Sequence, residues 1–257
     1  KIILALTSVG IVILLMFPVS LSANHFRYGT MSWELVSDNG THITIRLKMQ
    51  NGWTANHRSF REEADYNDAS HVDSGGFWAS GHIGSIKNDY ITIFWGDGDN
   101  SSVDIRILSR DNTTGTASGN CAFDDVQTIA RCKDSTISEM GDNSSSTWTT
   151  GKTHTYPDNG TTEYVVYWGD NDRAAVENSN GLNWRNETKV TIGGAYDNNT
   201  SPVSAVPSII QVQDNTTFAY DVISSDTTGD NLTYRWGTRA EFFGSSGDFV
   251  MPTGMTL

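Results

Sequence analysis

Apolar and polar residues alternate with a period of two along several short stretches, the pattern of a strand with one buried face. Met31–Val36 (MSWELV) and His42–Met49 (HITIRLKM) follow it. Asn39-Gly40 lies between them, and Asn-Gly takes the positive φ that a tight hairpin turn requires. Tyr90–Trp95 and Val103–Leu108 make a second pair around the turn residues Gly96-Asp97-Gly98-Asp99-Asn100. Glu163–Trp168 and Thr188–Ile192 predict two further strands. Residues 51–85 and 109–150 break the alternation and read as long polar insertions, with one helix-compatible turn at Phe60–Ala64.

Two prolines, Pro202 and Pro207, mark an extended linker and a boundary. Beyond it, Ile209–Val212, Thr217–Val222 and Leu232–Trp236 predict strands again, fewer than the about seven of a complete sandwich. The expected organisation is all-β in three parts. Residues 1–22 are an apolar segment, 23–200 a β-sandwich with insertions, and 201–257 the start of a second, incomplete module.

The first part carries one cation, Lys1, then the apolar run Ile2–Phe17, Pro18 and the small residues Ser20 and Ser22. That order reads as a secretory signal peptide. Cleavage after Ser22 would leave Ala23 at the terminus. Retained instead, the run would act as an anchor or assembly segment, buried in lipid or against a neighbouring copy. Membrane contact is expected only through residues 2–17.

Composition places the chain outside the cell. Hydrophobic residues are 37% and charged residues 18%, below the usual ~45–50% and ~25%. Serine (27), threonine (29) and asparagine (20) fill the gap. The formal net charge is −13 with 17 Lys and Arg and no basic cluster, which argues against nucleic acid, whose phosphates need clustered cations. Sequons stand at Asn39, Asn100, Asn112, Asn143, Asn159, Asn186, Asn198, Asn199, Asn215 and Asn231. Chance would give about four, so the excess favours N-linked glycans on surface loops of a secreted or cell-surface protein. In that compartment Cys121 and Cys132 are expected to form a disulfide, worth roughly 2–3 kcal/mol, against the alternative of two buried thiols.

Three stretches carry a resemblance. His25-Phe-Arg-Tyr-Gly-Thr-Met-Ser-Trp33 looks like the mature N-terminus of a family of secreted surface proteins that begin with an HFRYG-type strand. Trp95-Gly-Asp-Gly98 and His154-Thr-Tyr-Pro-Asp-Asn-Gly-Thr-Thr-Glu-Tyr-Val-Val166 resemble two elements of PKD domains, separated here by an insertion. The stretch from Ser201 through Asp226-Thr-Thr-Gly-Asp-Asn-Leu-Thr-Tyr-Arg235 resembles the start of a cadherin-like or Ig-like module, with Thr228 where a second aspartate is usual. The resemblance implies tandem Ig-like, PKD-like sandwiches serving adhesion or architecture, and no enzyme.

Candidate chemistry is sparse. Calcium takes six to eight oxygens, and the turn carboxylates Asp97, Asp99 and Asp104, the pair Asp170 and Asp172, and the pair Asp226 and Asp230 are the candidate ligands. The alternative is that Asp and Gly simply build turns. No cofactor is required by any motif. The six histidines (25, 42, 57, 71, 82 and 154) show no HExxH or Cys/His zinc spacing, there is no Gly-x-Ser-x-Gly elbow, and no catalytic residue is assigned. Tryptophans and tyrosines at strand spacing read as core, with sugar stacking as the alternative. The expected function is a non-enzymatic extracellular structural glycoprotein that self-assembles into a fibre or surface layer with copies of itself as partners. The alternative is an adhesion or carbohydrate-binding module that meets glycans or other surface proteins.

Overall fold

The computed structural model describes residues 26–53, 86–111, 135–145, 147–171, 183–205 and 216–243. Residues 1–22, the turn at Phe60–Ala64, both cysteines, Asp172 and the strand expected at Ile209–Val212 lie outside the described residues. Within them the fold is all-β. The strands are β1 (Phe26–Asp38), β2 (His42–Trp53), β3 (Ile86–Phe94), β4 (Asn100–Asp111), β5 (Ser135–Asp142), β6 (Thr149–Thr150), β7 (Lys152–Pro157), β8 (Thr162–Asn171), β9 (Asn183–Ile192), β10 (Val203–Ser204) and β11 (Ser224–Ser225). A 3-10 turn at Gly194–Tyr196 and the helix α1 (Arg239–Phe243) complete them. Among the described residues no helix is long and apolar enough to cross a membrane.

Nine strands form one antiparallel sheet in the order β1-β2-β5-β4-β3-β8-β9, with β6 added to β5 and β7 to β2. One edge of β2 serves two partners: residues 42–47 pair with β7 and residues 50–53 with β5. β3 and β8 share a single pair, Phe94 opposite Tyr167. Across this narrow seam the inward faces meet in one core of Ile43, Ile45, Leu47, Ile93, Val103, Ile105, Ile107, Val166 and Val190, with Trp95 and Tyr156 among them. Each such aliphatic side chain contributes roughly 1.5–3 kcal/mol on burial. The outer strands also meet. The Trp33 indole N–H donates to the Lys189 carbonyl at 2.8 Å, and the Phe26 ring stacks on Trp184 at 3.5 Å.

The sheet has two unlike ends. The short β1–β2, β3–β4 and β7–β8 turns gather at one, where the Asp158 N–H donates to the Thr41 carbonyl at 2.9 Å. Phe26 opposite Trp53, Asp111 opposite Ser135 and Asn171 opposite Asn183 define the other. There the chain leaves the strands toward residues 54–85, 112–134 and 172–182, beside a cluster of Phe26, Trp53, Trp168 and Trp184.

Two expectations are corrected. Residues 109–150, expected to be irregular, contain β5 and β6. Thr217–Val222 and Leu232–Trp236, expected as strands, form no ladder; after residue 201 the described residues pair only as Val203–Ser225 and Ser204–Ser224. Alternation gives a segment two unlike faces, but a strand also needs a partner's N–H and C=O groups. Without one, Val222, Tyr234 and Trp236 remain exposed, as do Ile223 and, in the two-residue β10, Val203. The linker itself is tied down. Ser201 is buried, its Oγ accepts the Trp33 N–H at 2.6 Å, and its own N–H donates to the Trp33 carbonyl at 3.0 Å.

Candidate functional site

The β3–β4 turn is closed by the Trp95 N–H donating to the Asp99 carbonyl at 3.0 Å. Within it the Asp99 N–H donates to Asp97 Oδ1 at 3.0 Å, the self-capping habit that makes aspartate a turn residue. Gly96 is required. Its φ is +86°, and a Cβ there would lie 2.7 Å from the Val165 carbonyl oxygen on β8.

The turn meets β7 through Trp95. His154 stacks flat on the Trp95 indole, centroids 4.5 Å apart and planes within 3°, and Tyr156 meets the imidazole edge-on at 4.6 Å. The Tyr156 hydroxyl donates to the Trp95 carbonyl at 2.9 Å, and the Trp95 indole N–H donates to Ser101 Oγ at 2.9 Å. Burial, with the nearby Asp97 and Tyr164, pushes the Tyr156 phenol well above its ordinary value, so it stays a donor. Trp95–Gly98 and His154–Val166, with residues 99–153 between them in sequence, are thus in direct contact.

His154 Nε2 lies 2.7 Å from Asp97 Oδ2. The turn backbone is exposed, but the Asp97 and His154 side chains are only 17% and 13% exposed. Burial works against the Asp97 charge. The hydrogen bonds with His154 and from the Asp99 N–H outweigh it and hold the carboxyl below its ordinary value. One ligand atom each of Asp97, Asp99 and His154 falls within 4.8 Å of the others.

The structure brings together only part of the expected calcium sets. Asp97 and Asp99 are joined by His154, which the sequence reading did not assign. Asp104 is not in that group; its Oδ2 accepts the Asn143 N–H at 2.8 Å and fixes the exit of β5. Asp226 and Asp230 flank Thr228, whose hydroxyl donates to Asp226 and lies 3.4 Å from Asp230 Oδ2. Asp226 and Asp230 are not among the groups of three or more carboxylate, imidazole or thiol ligands that the described residues bring together. Asp170 is exposed at the end of β8.

Of the sequons, Asn39, Asn100, Asn159, Asn198 and Asn231 are exposed, and Asn112 and Asn215 lie outside the described residues. Asn39 Oδ1 accepts the Thr41 N–H at 3.0 Å, the Thr41 hydroxyl at 2.8 Å and the His42 N–H at 2.8 Å, none of which engages Nδ2. Asn143 is half-buried, and Asn199 Nδ2 donates to the Thr191 carbonyl at 3.2 Å. Asn186 differs from all of these. Its Nδ2, the atom a glycan would join, is buried and lies 1.7 Å from where a Cβ on Gly29 would stand.

A groove of about 760 Å³ runs between β9 and the segment leading to α1, lined by Arg185, Lys189, Tyr234, Arg235, Glu241 and Phe242 among others. No protein-family model matches the chain, and neither a curated protein nor a solved structure matches it.

Proposed function

We propose that this chain is a non-enzymatic extracellular structural glycoprotein, built from PKD-like and Ig-like β-modules, that polymerises with copies of itself. The observation that carries this reading is the exposed apolar content of the last part. Val203, Val222, Ile223, Tyr234 and Trp236 are all exposed there, and apart from the two pairs of β10 and β11 the described residues after 201 form no ladder. The exposed sequon asparagines Asn39, Asn159 and Asn198, with Asn231 in the last part itself, would keep the surface around them in water. Ile2–Phe17 of a neighbouring copy is a matching apolar segment for the exposed side chains. Such a contact is head-to-tail, and a head-to-tail contact yields a filament unless its rotation closes. The disulfide between Cys121 and Cys132 and the glycans belong to the same extracellular reading.

Mass spectrometry of the native N-terminus together with electron microscopy tests it. Polymers built from chains that retain residues 2–17 are expected, and they should dissociate in an Ile223→Asp variant. A uniformly monomeric protein beginning at Ala23 would sink the polymer. Peptide mapping of the same material should find glycans on Asn39, Asn159, Asn198 and Asn231 and none on Asn186; bare asparagines throughout would remove the glycoprotein.

The groove beside β9 favours a second reading, a carbohydrate-binding or adhesion module. Tyr234 is 49% exposed at its wall, beside paired charges such as Arg235 and Glu241. Aromatic faces with polar groups beside them suit sugar rings. Saturable binding in a glycan screen, lost on Tyr234→Ala, would favour this reading over polymerisation.

A further inference from the structure

We propose that Asp97, Asp99 and His154 form a binding site for a divalent transition-metal ion of the zinc class. The fold, and not a local motif, assembles this set: two carboxylates come from the β3–β4 turn and the imidazole from β7. Each offers one ligand atom, all within 4.8 Å of one another.

The imidazole decides the class of metal. Calcium takes about six to eight oxygens at roughly 2.3–2.6 Å, and two carboxylates with a nitrogen donor do not supply that shell. Zinc accepts mixed nitrogen and oxygen ligands, about four in all, at roughly 2.0–2.2 Å. Three protein ligands at the solvent-facing edge of the turn leave the remaining position to water.

The imidazole is also aimed in advance. Trp95 holds it from below at 4.5 Å and Tyr156 from the side at 4.6 Å, so Nε2 points at Asp97 without side-chain freedom to lose. Nε2 and Asp97 Oδ2 now stand 2.7 Å apart as a hydrogen-bonded pair. Ligands around a tetrahedral zinc stand about 3.3–3.5 Å apart, so loading requires Nε2 and the Asp97 oxygen to part by about 0.6–0.8 Å, ligand atoms that stand farther apart to close in, and Nε2 to give up any proton it carries.

The test is calorimetric titration of zinc chloride into the intact chain in a non-chelating buffer. One zinc per chain is expected, with calcium binding more weakly at the same site. Two variants locate it. Asp99→Asn removes one ligand from an exposed position, and His154→Phe removes the nitrogen while leaving a ring to stack on Trp95. Each should weaken zinc binding by at least about tenfold, whereas His42→Asn, at the exposed start of β2, should leave it unchanged. Unaltered zinc affinity in Asp99→Asn overturns the site, as do loss of binding in His42→Asn, tighter calcium than zinc, or no saturable heat up to millimolar zinc. If His154→Phe fails to fold, the Asp99→Asn result decides.

Discussion

At the scale of single residues, two glycines of one turn are unequal. Gly96 and Gly98 both have positive φ, +86° and +105°, yet a Cβ on Gly96 would strike the Val165 backbone while one on Gly98 meets nothing within 4 Å. Gly98→Ala should therefore cost only the backbone term, about 1–2 kcal/mol. Gly96→Ala should cost that plus the displacement of β8 from the turn, about 3 kcal/mol or more in all. Urea denaturation of the two variants measures the difference; equal losses would mean that the contact with Val165 carries no weight. The same scale shows what the sequence could convey about the site. Asp97 and Asp99 were legible because aspartate and glycine crowd one turn. His154 was not, because only the β2–β7 pairing and the Trp95 stack bring it to them. Asp104 read as a third carboxylate of the set because it is near in sequence, whereas the hydrogen bond it forms is to a strand exit 39 residues away.

Among elements, strands with aliphatic inward faces were the readable ones. Ile43, Ile45, Leu47 and Met49 announce β2, and Val103, Ile105 and Ile107 announce β4. β5 escaped because Ser138 is buried where an aliphatic residue would have marked the pattern, and β7 because Tyr156 is its one fully buried side chain. The reverse error fell on Thr217–Val222 and Leu232–Trp236, whose alternation is real but whose backbones meet no ladder. Exposed edges invite foreign strands, and Ser201 blunts one by taking both the N–H and the C=O of Trp33. Ser201→Ala would strip the Trp33 N–H of its acceptor and should destabilise the protein by about 1–3 kcal/mol. Amide hydrogen exchange gives the sharper readout: protection at Trp33 should fall more than protection in β2, and unchanged protection would show that the clip does not hold β1.

Over the whole molecule, charge sets how stability follows pH. Several carboxyls are held below their ordinary values: Glu34 by its hydrogen bond with Lys48, Asp97 by His154 and the Asp99 N–H against its own burial, and Asp142 by Lys152. Glu241 is held down to about 2 by Arg235. The folded chain thus binds these protons more weakly than the unfolded one. The stability they contribute is complete above the unfolded values near pH 4–4.5 and is lost as pH falls through the lower folded values. Acidification from neutrality first reduces the net charge of −13 toward zero near pH 4.7 and eases its self-repulsion. The melting temperature should therefore hold or rise down to about pH 5 and then fall steadily toward about pH 2. Asp142→Asn should make that fall shallower, and a melting temperature that keeps rising below pH 4 would contradict the pairing of these carboxyls. The two unlike ends of the sheet carry a consequence of another kind, for how such a chain can diversify. The three long connections within the nine-stranded sheet, residues 54–85, 112–134 and 172–182, depart from the end marked by Phe26 and Trp53, and the register of the sheet is set among the strands themselves and by the tight turns opposite. Doubling the length of one of those connections costs only about 0.6 kcal/mol in closure entropy. One end of the molecule can accept inserted sequence with the core unchanged, while the other, with its fixed glycines and hydrogen-bonded turns, tolerates almost none.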